Sequence, residues 1–262
     1  MFDLAFLHVV REHELEHIAA RLRRGARVLE IGGGTGYQAR RLQDSGFDVA
    51  SIDVAESNYQ ELEFPVTRYD GRHFPFPDAS FDIVFSSNVL EHVPDLHQTH
   101  AEARRVLRPG GYCVHVMPTG AWRFWTNLAH YVELVQQLAL HLPQAMPRGI
   151  GGRDLNAAAR GVLQLLRLVK RYAIVPRHGE FGNAATEIVT FGRRRWIRHF
   201  DAEGFHVREA SPMELFYTGH MVLGRRLSIR ARERLARVLG SACVLYEVMP
   251  KPAAGVAPGE SP

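Results

Sequence analysis

Residues 28–36 read Val28-Leu29-Glu30-Ile31-Gly32-Gly33-Gly34-Thr35-Gly36, an apolar strand that carries an acid and runs into glycines at positions 32, 34 and 36. Nothing else in the chain limits its fold as tightly. Glycine permits positive φ and has no Cβ, so the backbone can turn sharply and lie against a ligand. In an open α/β sheet such a turn sits at the carboxyl end of a strand, where ligands bind. The register excludes two nucleotide sites. A dinucleotide fingerprint needs G-x-G-x-x-G, and Tyr37 stands where the last glycine would fall. A P-loop ends in Gly-Lys-Ser/Thr, and no lysine is present here. Glu30 adds a negative charge, which suits an ammonium and opposes a pyrophosphate.

Strands and helices alternate on both sides of this turn. Residues 4–24 keep a rough helical face, and a helix over Tyr37 to Ser45 is stopped by Gly46. Val49–Asp53, Val66–Asp70, Phe81–Ser86 and Tyr112–Met117 read as strands two to five, with a helix over Asp95–Leu107 before the Pro109-Gly110-Gly111 turn. This rhythm predicts βαβ units and an α/β, Rossmann-like, doubly wound and mostly parallel sheet of seven strands. From Pro118 it breaks. Residues 119–192 hold two helices, Trp122–Leu142 and Leu155–Tyr172, separated by Pro143, Pro147 and Gly149-Ile150-Gly151-Gly152. The pattern then resumes with helices over Arg194–Glu203 and Leu227–Leu239 and strands from Phe205 and Cys243. The expected division is 1–118 as the sheet's ligand-binding half, 119–192 as a helical insertion after strand five, 193–250 as the rest of the sheet, and 251–262 as a disordered tail.

The apolar fraction of 46% suits a globular core. No apolar run reaches a membrane span, the start lacks a basic leader, and Cys113 and Cys243 sit in strand-like runs as buried thiols. These features point to a cytoplasmic protein. Residues 1–118 carry 12 basic and 17 acidic side chains, a net −5, and residues 119–262 a net +9, almost all of it from arginine. A basic half suits nucleic acid, anionic lipid or a phosphorylated substrate, and equally a solvated face. His13-Glu14-Leu15-Glu16-His17 spells the zincin H-E-x-x-H, but no third ligand follows in a recognisable pattern. No metal site is expected from it.

The glycine run, as E-x-G-x-G-x-G, resembles motif I of class I S-adenosylmethionine (SAM)-dependent methyltransferases. Further pieces follow in that family's order. Asp53 ends strand two, where the family's acid takes both ribose hydroxyls, and Asp70-Gly71 falls where it places an acid near the adenine amino group. Phe74-Pro75-Phe76-Pro77-Asp78-Ala79-Ser80-Phe81-Asp82 is close to its L-P-F-x-D-x-S-F-D run. Ser86-Ser87-Asn88-Val89-Leu90-Glu91-His92-Val93 and Arg105-Val106-Leu107-Arg108-Pro109-Gly110-Gly111 resemble its post-strand-four motif and its R-V-L-K-P-G-G turn, with arginine in place of lysine. The match runs over residues 25–118, more weakly over 193–250, and is similar to the broad small-molecule group called type 11. It implies SAM as cofactor, with Glu30, Gly32, Gly33, Gly34, Gly36, Asp53, Asp70, Gly71 and Asn88 around it.

The implied activity is methyl transfer to a small-molecule or glycan acceptor, at a hydroxyl. A hydroxyl nucleophile needs a base. The segment Pro176-Arg177-His178-Gly179-Glu180-Phe181-Gly182-Asn183 gathers a His, an acid and an Asn in a glycine-broken loop. It resembles a H-G-E-x-G-N pattern of methyltransferases from bacterial surface-polysaccharide clusters. His178 is the candidate base, with Glu180 orienting it or binding substrate hydroxyls; His92 is the second candidate. The insertion helices, aromatic at Trp122, Phe124 and Trp125 and basic at Arg160, Arg167, Lys170 and Arg171, read as a lid or as a peripheral membrane contact for a lipid-linked glycan. Two other functions stay open: an RNA methyltransferase, less favoured because no Asn-Pro-Pro-Tyr motif is present, and a SAM-binding module without turnover. The sequence does not specify an oligomeric state.

Overall fold

Alternating apolar positions decide which side of each strand is buried, and here both sides are. Val28, Phe85 and Val114 pack on one face, and Leu29, Val84 and Cys113 on the other. Strands buried on both faces belong to a sheet covered by helices on each side. The computed structural model describes residues 4–54, 62–145, 155–220 and 224–252. In chain order the elements are α1 (Leu4–Ala19), β1 (Arg27–Ile31), α2 (Tyr37–Asp44), β2 (Asp48–Val54), β3 (Val66–Tyr69), β4 (Phe81–Ser87), α3 (Leu96–Val106), β5 (Leu107–Pro118), α4 (Gly120–Ala145), α5 (Leu155–Tyr172), α6 (Thr186–Thr190), α7 (Arg193–Ala202), β6 (Phe205–Pro212), α8 (Ile229–Leu239) and β7 (Cys243–Pro250). A single 3₁₀ turn, Leu90–His92, follows β4.

The seven strands form one sheet in the order β3-β2-β1-β4-β5-β7-β6. β1 to β5 pair in parallel, and β7 runs antiparallel between β5 and β6. The order reverses between β1 and β4, which opens a crevice at their carboxyl ends. The glycine turn leaves β1 at that crevice, and the 3₁₀ turn leaves β4 beside it.

Two of the sequence motifs meet each other rather than a ligand. Arg105 donates to the carbonyls of Phe74 and Phe76 and pairs with Asp78 and Glu102, while Glu102 accepts from the Phe74 N–H at 2.7 Å. The proline-rich run before β4 is thereby pinned to α3. Asp82 accepts from the Arg27 N–H at 2.8 Å and pairs with Arg23 and Arg108, which ties the amino ends of β1, β4 and β5 together.

Several boundaries differ from the sequence expectation. α1 ends at Ala19 instead of running to residue 24. The chain turns there because the Tyr112 hydroxyl donates to the Arg21 carbonyl and accepts from the Arg23 N–H. α4 continues through Pro143, which stands close enough to its end that little ladder is lost. Residues 119–192 also hold a third helix, α6, too short to show a helical period in sequence. Residues 146–154, which contain Pro147 and the glycine-rich separator, lie outside the described residues, as does the tail from 253. Lys251 is held, its Nζ 2.7 Å from Asp201 Oδ1.

Candidate active site

Gly32, Gly34 and Gly36 all take positive φ, at 74°, 57° and 81°. Gly33 does not, yet it is more crowded than Gly32 and Gly36. A Cβ there would stand 1.9 Å from Ser51 Oγ and 3.0 Å from Glu30 Oε2. The register explains the crowding: Glu30 in β1 lies level with Ser51 in β2, and Ser51 Oγ donates to Glu30 Oε2 at 2.6 Å. The turn therefore folds back over its own strand end. Glu30 is 2% exposed and lies beneath the loop, not in the open crevice. Burial pushes its carboxyl up to about 7, Asp53 adds to the rise, and the Ser51 hydrogen bond opposes it.

Asp53 ends β2 facing the same loop. Its Oδ2 accepts from the Gly34 N–H and its Oδ1 from the Val54 N–H, both at 2.8 Å. A carboxylate has about four lone-pair positions, so two remain for a ligand's hydroxyls. Asp70 is half exposed. Its Oδ1 accepts from the N–H groups of Arg72 and His73, its Oδ2 lies 3.0 Å from His73 Nδ1, and Gly71 follows at φ 75°. These bonds, the His73 N–H first, hold its carboxyl well below the usual range.

On the other side of the crevice, Asn88 leaves β4 with φ 54° and donates its N–H to the Val116 carbonyl at 2.8 Å. With its amide oxygen turned to α1 it accepts from Arg11 Nη1 at 2.8 Å. Arg11 in turn pairs with the buried Glu14 at 2.6 Å, and Glu14 accepts from the Tyr217 hydroxyl at 2.8 Å. The zincin-like string therefore supplies a buried carboxylate to this network, and His17 Nδ1 bonds its own helix at the His13 carbonyl. The helix α1 is thus locked against the exit of β4.

The His178 loop arrives at that same exit. Glu187 of α6 accepts from the N–H groups of His178 and Gly179 at 2.8 Å and forms a buried ion pair with Arg123 of α4 at 2.7 Å. The Glu180 N–H donates to the Glu91 carbonyl at 2.7 Å, and a Cβ on Gly179 would meet that carbonyl oxygen at 2.9 Å. His178 is thereby set against the 3₁₀ turn, its ring 4.8 Å from that of His92 and 4.7 Å from Trp122. Burial lowers the pKa of His92. The carboxylate beside both imidazoles is Glu91, 3.7 Å from His178 Nε2 and 3.8 Å from His92 Nε2. Glu180 instead turns its side chain to Arg177, at 3.9 Å. Glu91 was given no role of its own from the sequence; its signal was its place in the post-strand-four motif, directly before His92. A cavity of about 430 Å³ opens next to it, lined by Leu90, Glu91, Phe181, Phe191 and Trp196 among others, and touches none of the motif I glycines.

Residues 29–115, which hold the glycine turn, Asp53, Asp70, Asn88 and Glu91, match the family model described as Methyltransferase domain. This region is a class I SAM-dependent methyltransferase domain. Among curated relatives, an uncharacterized methyltransferase of Mycobacteroides abscessus is 37% identical over 123 residues, covering 41% of this chain and 47% of the relative. A "probable S-adenosylmethionine-dependent methyltransferase" of Mycolicibacterium smegmatis is 39% identical over 109 residues, 40% of this chain and 41% of that one. The chain thus spans about half the length of the curated relatives it matches. A solved chain from a Haloferax volcanii complex of a methyltransferase activator with a methyltransferase superposes with a TM-score of 0.52 at 15% identity, over 93% of this chain and 91% of that one, a likeness of fold.

The methyltransferase domain's cofactor is SAM, and the residues present fit it. The turn keeps bare backbone at the crevice, with no room for a Cβ at Gly32, Gly33 or Gly36. Asp53 is aimed by Gly34 with acceptor capacity to spare, and no basic pyrophosphate-binding side chain stands in the turn.

Proposed function

We propose that this protein transfers the methyl group of SAM to a hydroxyl of a small-molecule or glycan acceptor, with Gly32, Gly33, Gly34, Gly36, Asp53, Asp70, Gly71 and Asn88 around the cofactor and Glu30, buried against Ser51, supporting the glycine loop from beneath instead of facing the ligand's ammonium. The observation that carries this reading is the docking of the His178 loop on the 3₁₀ turn immediately after Asn88. SAM supplies a methyl group already activated on a sulfonium. The chain's own task is to hold the acceptor in line and to take its proton. The acceptor's proton leaves at the cluster of His178, Glu91 and His92, where two partly exposed imidazoles flank a buried carboxylate. Glu180, beside that cluster, partly exposed and 3.9 Å from Arg177, binds acceptor hydroxyls in this reading. Release of S-adenosylhomocysteine (SAH) with sugar and other hydroxylated acceptors tests the reading. Turnover with a hydroxyl acceptor that falls at least tenfold in His178→Ala is expected, whereas turnover only with RNA overturns it.

A second reading concerns the insertion. Phe124, Leu128, Val135, Val162, Leu163 and Leu166 are each 49% exposed or more, on helices that also bear Arg167, Lys170 and Arg171. No described helix is long and apolar enough to cross a membrane. An apolar face edged with cations suits the surface of an anionic membrane and hence a lipid-linked acceptor. Co-sedimentation with phosphatidylglycerol vesicles at low salt is expected, and its absence removes this reading.

A further inference from the structure

Glu91 presents an accounting problem. Its side chain is fully buried, and neither carboxylate oxygen has a hydrogen-bond partner. A buried, unpaired carboxylate is costly unless a cation or donor answers it. Two imidazoles converge on its Oε1, yet their Nε2 atoms stop at 3.7 and 3.8 Å, beyond the ~3.2 Å reach of a hydrogen bond. One ligand atom from each of Glu91, His92 and His178 lies within 4.8 Å of the others. Two ligands on a tetrahedral ion with bonds near 2.0–2.1 Å stand about 3.4 Å apart. The spacing thus leaves a gap of ionic size that a small closure would complete.

We infer that Glu91, His92 and His178 form a divalent transition-metal site, of the two-imidazole, one-carboxylate type that suits zinc. The backbone is arranged for it. Glu187 fixes the His178 N–H, the Glu91 carbonyl accepts from Glu180, and the Trp122 ring meets His178 edge-on. These contacts set the imidazole before any ion arrives, the usual part of outer partners around a metal. The side chains of His92 and His178 are 45% and 34% exposed, so the carboxylate closes the inner side and solvent reaches the outer one. That leaves an open coordination position. An ion held there would take up the imidazole lone pairs and, in place of a free His178 base, bind an acceptor oxygen and lower its pKa; the inference rests on the methyl-transfer reading for its purpose but not for its existence.

The test titrates the chelator-treated full chain with Co²⁺, then displaces it with Zn²⁺, while SAH binding is measured separately by calorimetry. One equivalent of Co²⁺ with visible d–d absorption is expected below about 100 µM, abolished by zinc. Glu91→Gln and His178→Ala are expected to weaken cobalt binding at least about 30-fold, in line with the loss of one ligand, with SAH affinity held within about threefold. The His13→Ala, His17→Ala double variant controls for the zincin-like string and is expected to keep the band. Absence of stoichiometric cobalt binding by the wild-type chain overturns the inference, as does a band that follows His13 and His17. Loss of SAH binding in the wild-type chain would strike the methyl-transfer reading alone, since cobalt binding is read independently.

Discussion

At Glu30 the fold places a carboxyl where its charge is least welcome, under a glycine loop and near Asp53. Its folded value of about 7 stands above its ordinary 4.5. Below the ordinary value the group is protonated in folded and unfolded chains alike. Between the two values the folded chain holds the extra proton, so stability falls as pH rises and the loss levels off above about 7. Glu30→Gln removes this cost while keeping an acceptor for Ser51. Urea denaturation of the ligand-free variant at about pH 8 is expected to show a gain of about 1–3 kcal/mol over wild type, vanishing near pH 4. A variant less stable at pH 8 would show that the charge is compensated in the fold. The sequence carried the presence of the acid but not its place. That Glu30 lies behind the loop follows from its register with Ser51, a pairing no local pattern reveals.

Elements decide whether these residues meet. The strands were legible because each has its own apolar period, and Gly32, Gly34 and Gly36 were legible because their backbone angles are rare for other residues. α6 was not, because five residues show no period. Glu91 was missed for a related reason: its surroundings are made by a loop distant in sequence, and Glu180, nearer to His178 in the chain, turns to Arg177 instead. α6 is the element that holds this loop. Glu187→Gln keeps the size of the side chain but removes its charge from the buried Arg123. Breaking such a pair is expected to cost about 3–5 kcal/mol, read as a lowered melting temperature. SAH affinity is expected to stay within about threefold, because the residues proposed for the cofactor stand on other elements, while transfer falls with the misplaced loop. A variant that transfers at the wild-type rate would show that the loop's position is immaterial.

Over the whole molecule, the acidic amino-terminal half and the basic carboxy-terminal half are joined in a single sheet by the antiparallel β7, and Arg21 of the first half pairs with Glu209 of the second. The type of sheet was readable from the alternation of elements, and the placement of β7 between β5 and β6 was not, since order in a sheet depends on contacts far apart in sequence. What this architecture assembles is a crevice between β1 and β4 with Asp53 on one wall. Calorimetric titration of the full chain with SAH, wild type against Asp53→Ala, measures that directly. One site per chain is expected, weakened in the variant by about 1.5–3 kcal/mol, roughly 10- to 150-fold. No binding to wild type at millimolar SAH, or equal affinity in the two proteins, would contradict the account.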